Sequence, residues 1–231
     1  MIGAGEVPTL NGWMSAAGFR ELVDLIAESN RDRINPLIVA IDGRSGAGKS
    51  TLAPALAAEL GAAVIDGDDF YAGGTADEWG AMNPAERAEH CIDWRRQRLV
   101  LEPLAREEEA TWHPYDWQQD DGRLSARSCS CRPAQVVILE GAYSARPELP
   151  DLIDVRVMLD VPDEARRERL LRREGEHYRA EWEARWASAE GYYFNNVMPP
   201  EAFDLSSQSP PLRQRTRSCW NRCGPRHPGA S

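Results

Sequence analysis

The chain has 231 residues, is 42% hydrophobic and carries a formal net charge of −10, a size that suits one α/β domain with short appendages. No apolar run approaches the roughly 18 residues of a membrane span, and the acidic balance argues against general binding to nucleic acid or an anionic membrane. The first residues show neither a basic region nor an apolar stretch, so no secretory signal is expected and the expected compartment is the cytoplasm.

In chain order, Phe19, Leu22, Val23 and Ile26 fall at helical spacing and predict an amphipathic helix over 15–29. This helix belongs to an N-terminal extension, residues 1–36, that closes at Asn35–Pro36. Leu37–Ile41 is a short continuous apolar run, the pattern of a buried parallel strand. A glycine-rich turn and an Ala/Leu-rich helix over 49–60 follow. Ala62–Ile65 reads as a second strand, ending in Asp66, Asp68 and Asp69. A helical stretch over 84–107 carries Ile92, Leu99, Val100 and Leu104 as its apolar positions. Val136–Leu139 and Val155–Leu159 are the third and fourth strands, and 163–190 reads as helical. Strands alternating with helices predict an α/β three-layer sandwich on a mostly parallel sheet, with ligands beyond the carboxyl ends of the strands. The domain is placed at 37–205. Residues 206–231 hold five arginines and no acid, against a net −15 for the preceding residues, and their Ser/Pro/Arg composition predicts a disordered basic tail. Pro210 and Pro211 leave little room for a further strand after Phe203–Leu205.

The strongest local signal is Gly43-Arg44-Ser45-Gly46-Ala47-Gly48-Lys49-Ser50, which fits G-x-x-x-x-G-K-[ST] and stands between a predicted strand and a predicted helix. Glycines let consecutive N–H groups turn inward around a phosphate, and the helix adds its positive end. Of the 27 basic residues only Lys49 is lysine; a compact ammonium suits the β- and γ-phosphates better than a broad guanidinium fork. Gly43, Ser45, Gly46, Ala47, Gly48, Lys49, Ser50 and Thr51 are therefore candidate residues for ATP, and the Ser50 hydroxyl is suited to Mg²⁺. At the end of the second strand, Asp68 is placed to take a proton from an acceptor hydroxyl beside the γ-phosphate. Glu140, ending the third strand, is the candidate second group for Mg²⁺. Along 163–173, Arg166, Arg169 and Arg173 are spaced three and four apart and share a face, as expected of a lid that closes on ATP and offsets charge spreading over the phosphoryl oxygens. Arg167 and Arg172 are expected to be structural, the latter paired with Glu168.

The order GRSGAGKST, DDFY (68–71), PYDW (114–117) and VVILEG (136–141) resembles the uridine kinase branch of P-loop kinases over about residues 37–204. The resemblance implies a Mg²⁺- and ATP-dependent kinase acting on a small-molecule, nucleoside-like acceptor, first of all the 5′-hydroxyl of uridine or cytidine. It implies that Asp68 is the general base, with Lys49 and Arg169 stabilising the transferring phosphoryl group. Tyr71 would line the nucleoside site and Tyr115 would contact the base, with Trp112 and His113 walling the same pocket. Asp93 would hold ribose hydroxyls, with Glu86 and Glu89 as alternatives. The family's base-reading histidine has no clear counterpart after Tyr115, where the chain reads Trp117-Gln118-Gln119. A non-nucleoside acceptor (a sugar, vitamin or antibiotic) therefore stays open, as does a nucleotide-binding protein with weak transfer activity. Tyr178, Trp182 and Trp186 form a helical stripe more consistent with core packing than with base stacking. The five cysteines lack paired C-x-x-C spacing and read as reduced thiols; Cys219, Cys223 and His227 lack a fourth zinc ligand. Oligomeric state is not legible.

Overall fold

A computed structural model describes residues 14–119, 122–175 and 180–207. The main sheet consists of β1 (Leu37–Asp42), β2 (Ala63–Asp66), β5 (Val136–Glu140), β6 (Val155–Met158) and β7 (Leu205–Ser206), in the order β2-β5-β1-β6-β7 and parallel throughout. From β1 the chain runs to one edge and returns, then builds outward on the other side. The crevice beyond the carboxyl end of β1 is therefore the switch point at which such sheets take ligands.

β1 is buried along its whole length because both faces of the sheet are covered. Leu37, Val39 and Ile41 enter one core with α1 (Ala16–Asn30) and α2 (Lys49–Leu60), while Ile38 and Ala40 enter the other. That second core holds α5 (Trp94–Ala105) and the end of α7 (Ala180–Tyr192). Helix α1 starts where the Ser15 hydroxyl accepts from the Gly18 N–H at 3.0 Å, a cap worth about 1 kcal/mol. Its buried face is Phe19, Leu22, Val23 and Ile26, the four positions at helical spacing in the sequence.

The stretch expected to be one helix over 84–107 is two. Helix α4 (Pro84–His90) ends, Ile92 forms a β-bridge with Tyr71, and Asp93 starts α5 by accepting from the N–H groups of Arg95 and Arg96. Leu99 is consequently exposed, and Gln97, Val100, Leu101 and Leu104 make the buried face. No sequence pattern announces α3 (Ala76–Ala81) or the antiparallel pair β3 (Ala110–Trp112) and β4 (Cys129–Cys131), whose three-residue strands are too short to show a period. The helical run over 163–190 is divided into α6 (Asp163–Glu174) and α7 around Gly175. The last strand is reduced to two residues paired with Val157 and Met158, as the prolines beyond it imply. Tyr178, the N-terminal extension before Met14, and the tail residues Cys219, Cys223 and His227 lie outside the described residues.

One side chain ties the carboxyl ends of these elements together. Asp42 is fully buried, and its Oδ1 accepts from the N–H groups of Gly43 (2.7 Å) and Tyr143 (2.9 Å). Its Oδ2 accepts from the Ala145 N–H (3.0 Å) and the Tyr193 hydroxyl (2.9 Å). Burial raises its pKa, and the bonds from Ala145 and Gly43 oppose that rise. The carboxylate thus pins the start of the glycine-rich loop, the loop after β5 and the π turn at Tyr193–Val197 to one point. Asp42→Asn keeps the volume but offers one acceptor oxygen to these donors and adds an amide N–H₂ facing others. It is expected to lower unfolding free energy by about 3 kcal/mol, read as a reduced midpoint in urea with unchanged slope.

Candidate active site

The loop Gly43–Gly48 turns on glycines that have no substitute. Gly46 has φ +77°, and a Cβ there would lie 2.7 Å from the Arg166 carbonyl oxygen. Gly43, at φ +149°, would meet the Leu159 carbonyl at 2.6 Å. Helix α2 begins at Gly48 in the left-handed region with no side-chain cap, so, apart from the Thr51 N–H, which donates to the Gly48 carbonyl at 3.1 Å, the donors of its first turn have no acceptor within the helix. They open on a cavity of about 300 Å³ lined by Ser45, Gly46, Gly48, Lys49, Ser50, Thr51, Asp68, Glu140, Arg169 and Arg173, among others. Uncapped N–H groups, an ammonium and a hydroxyl in one concavity are the donor set a triphosphate requires. Gly43 and Ala47 form the base of the loop and do not line this cavity. Lys49 is nearly buried, and its Nζ donates to the Gly43 and Arg44 carbonyls at 2.8 and 3.3 Å.

Opposite Lys49 stand carboxylates from two adjacent strands. Asp66 and Glu140 are register partners on β2 and β5. Burial, then the charge of Asp66, pushes Glu140 up to about 7, while Lys49 and a hydrogen bond from Ser50 pull the other way. Asp66 is pushed up to about 6, chiefly by desolvation in the cleft and next by Asp68. No group of three or more His, Cys, Asp or Glu among the described residues forms an all-protein metal cage. Ser50 with Glu140 fits instead a Mg²⁺ that arrives with phosphate and keeps most of its waters.

The three aspartates after β2 divide their work. Asp66 accepts from the Asp68 N–H at 2.9 Å, and Asp69 accepts from the Trp112 indole at 2.7 Å. Asp68 lines the phosphate cavity and also a second, adjoining cavity of about 380 Å³. Ser45, Ala142, Leu170 and Arg173 are likewise common to both. The second cavity has aromatic walls. Tyr71 stacks on Trp117 (centroids 4.9 Å apart) and meets Trp186 edge-on at 5.8 Å.

Other sequence candidates stand elsewhere. Tyr115 packs edge-on against Tyr71 at 4.8 Å and does not line the aromatic cavity. Asp93 caps α5 and faces a separate cavity with Glu89 and His90. Trp112 stacks on Phe70, and the His113 ring bonds the Ser125 carbonyl at an exposed position. Arg166 lies against the loop, donating to the Ser45 carbonyl at 2.7 Å and pairing with Asp163 at 2.6 Å, and lines neither cavity. Arg169 donates to the Gly46 and Ala47 carbonyls at 3.2 Å each. Arg172 pairs with Glu168 at 2.6 Å, and Arg167 approaches Glu183 at 3.6 Å. Trp186 packs against the second core, as expected, and also lines the aromatic cavity.

Sequence reasoning missed Glu190 and Tyr143. The Glu190 Oε1 accepts from the Ser45 N–H (2.7 Å) and hydroxyl (2.6 Å), a contact spanning 145 positions that no local pattern announces. Tyr143 follows the E-G pair with φ +64°, one of two non-glycine residues in the left-handed region among the described residues. Such strain at a cleft is a signal only coordinates carry.

The match to an AAA domain covers residues 39–189, from β1 through the glycine-rich loop to the end of α7. The chain belongs to the AAA domain family. No curated protein is similar enough in sequence to match it. A solved possible uridine kinase from Bacillus stearothermophilus is 22% identical with a TM-score of 0.60, covering 81% of this chain and 97% of that one. A proposed fructose transport system kinase from Silicibacter sp. TM1040 is 26% identical (TM-score 0.59; 81% and 98% covered). D-glycerate 3-kinase from Cryptococcus neoformans var. grubii is 14% identical (TM-score 0.56; 83% and 93% covered). This AAA domain thus has the fold of uridine kinase-like P-loop kinases. No helix among its described residues is long and apolar enough to cross a membrane.

The raised Glu140 gives a stability prediction with a definite sign. An ordinary glutamate loses its proton near 4.5, and Glu140 in the fold only near 7. Between those values the folded AAA domain holds a proton the unfolded chain has released, so stability falls as pH rises through this window and the loss is complete above it. Glu140→Gln removes the titration. The ligand-free variant should exceed its parent by on the order of 2–3 kcal/mol at about pH 8 and by little at about pH 4.5, measured by thermal or denaturant unfolding at both.

Proposed function

We propose that the chain is a Mg·ATP-dependent kinase that transfers the γ-phosphate to a hydroxyl of a small molecule seated in the aromatic cavity. The observation that carries this reading is that Asp68 lines both the phosphate cavity and the aromatic one. A carboxylate at that junction can accept the acceptor's proton as its oxygen attacks phosphorus. Neither neighbouring aspartate is as free to do so, since Asp66 holds the Asp68 N–H and Asp69 holds the Trp112 indole.

The other residues take roles from their chemistry. Lys49 supplies a compact cation to the phosphates, and the first-turn N–H groups of α2 hold them in place. Arg169 and Arg173 face the same cavity from α6, where guanidinium groups offset charge on the transferring phosphoryl oxygens. Bound Mg²⁺, held through Ser50 and Glu140, would neutralise phosphate charge and help align the phosphoryl group.

Support for uridine or cytidine as acceptor comes from the DDFY and PYDW segments and from the kinase fold. One observation favours a non-nucleoside acceptor instead: among the described residues lining the aromatic cavity there is no Asn, Gln or His to read a base edge. Both readings share the chemistry and differ in the acceptor. Asp68→Asn is expected to lower kcat by about 100-fold or more while affinity for Mg·ATP stays within about twofold. Retained turnover would remove Asp68 from the proton transfer; a panel of acceptors scored by ADP release identifies the substrate.

A further inference from the structure

The aromatic cavity carries an electrostatic feature that neither a nucleoside nor an acidic acceptor accounts for. Glu190, on the last turn of α7, is 2% exposed and has no ion-pair partner within 4 Å among the described residues. Among the described residues it accepts two hydrogen bonds, both from Ser45 and both at Oε1. A buried carboxylate without a counter-charge is costly, and hydrogen bonds to a neutral serine offset only part of that cost. Glu183, about two helical turns earlier on the same face, lines the same cavity, and its partner Arg167 is itself exposed and 3.6 Å away. Asp68 is the third carboxylate. Arg173 is the sole cation in the described lining, and it also lines the phosphate cavity, where transferred charge would engage it.

Two further observations come from different residues. The Tyr143 hydroxyl is buried in this wall (1% exposed) with no hydrogen-bond partner among the described residues. The Cys91 thiol, also in the lining, is pushed well above its usual range by burial and then by the charges of Asp68 and Glu190. The cavity is therefore negative and has an orphaned hydroxyl waiting for a polar ligand. Tyr71, Trp117 and Trp186 add electron-rich ring faces, which attract a cation as the carboxylates do.

We propose that the acceptor is a positively charged amino alcohol of the amino-sugar class, its ammonium held by Glu190 and Glu183 among the aromatic rings and its reactive hydroxyl presented to Asp68. This rests on the kinase reading above and narrows its acceptor. An ammonium supplies the counter-charge Glu190 lacks, while an uncharged sugar of equal size leaves it uncompensated. An anionic acceptor such as a glycerate is repelled. The geometry also assigns Glu190 a positioning role, since the carboxylate that would hold the ligand also holds the Ser45 N–H of the phosphate loop through Oε1. Occupation of the acceptor cavity and the shape of the loop are then linked through one side chain.

The test separates binding from transfer. Calorimetric titration without nucleotide compares glucosamine with glucose and N-acetylglucosamine, which keep the ring and lack the charge, and with uridine and glycerate. Glucosamine should bind at least about tenfold more tightly than each of the others. Glu183→Gln, which leaves the phosphate loop untouched, should erase most of that preference, and Glu190→Gln should erase it while also raising KM for ATP. Equal or tighter binding of glucose, N-acetylglucosamine, uridine or glycerate overturns the proposal, as does failure of glucosamine to bind at millimolar concentration. A preference that survives both substitutions overturns the assigned residues. If glucosamine binds preferentially and no ADP is released with Mg·ATP, the cation site stands and the kinase reading falls.

Discussion

A buried carboxylate at the end of the central strand is the constraint from which the site follows. Asp42 has four donors in the fold, drawn from the phosphate loop, from two residues beyond β5 and from the π turn after α7. No other acceptor in a protein offers that many lone pairs in so small a volume. Because the donors come from three separate segments, their relative positions are fixed by one group rather than by loop stiffness. Tyr143 illustrates the consequence. Its N–H must reach Asp42, and the left-handed φ it adopts is held by that bond together with the packing of its ring on Tyr193 at 4.8 Å.

A second buried carboxylate works from the opposite side. Glu190 grips Ser45 two residues beyond Gly43, so the phosphate loop is held at its root by β1 and near its tip by α7. Between these grips lies the phosphate cavity, where Asp68 and Glu140 face Lys49, Arg169 and Arg173, with Asp66 beside Glu140 in register. Asp66 and Glu140 are both displaced upward, first by burial and then by a neighbouring carboxylate, Asp68 for Asp66 and Asp66 for Glu140.

Much of this was legible in the sequence wherever the signal was local. Four apolar runs became the central strands, the α1 stripe became its buried face, and the glycine-rich loop stands between β1 and α2 because its glycines tolerate no Cβ. The Glu168–Arg172 pair follows from spacing alone. What was not legible depends on contacts between distant segments. Asp93 was a plausible ribose ligand by position, yet an Asp preceding Trp-Arg-Arg-Gln is also a good helix cap, and the β-bridge of Ile92 to Tyr71 decides for the cap. Trp186 packs on the core as its helical stripe implies, but a stripe does not reveal that its end also abuts a cavity. Glu190 could not be distinguished from any other glutamate on an acidic helix.

The arginines of α6 show how spacing and role combine. Residues 166, 169 and 173 share a face, as their intervals require, but a face has length, and the phosphate loop touches only part of it. Arg166, nearest the loop's root, is spent on the Ser45 carbonyl and Asp163. Arg169, a turn on, reaches the Gly46 and Ala47 carbonyls while lining the phosphate cavity. Arg173, a further turn out, lines both cavities. Moving along α6 therefore passes from a guanidinium spent on the loop to one at the junction of the two cavities. The same helix that braces the loop carries charge to that junction, so loosening its inner arginine would displace its outer one.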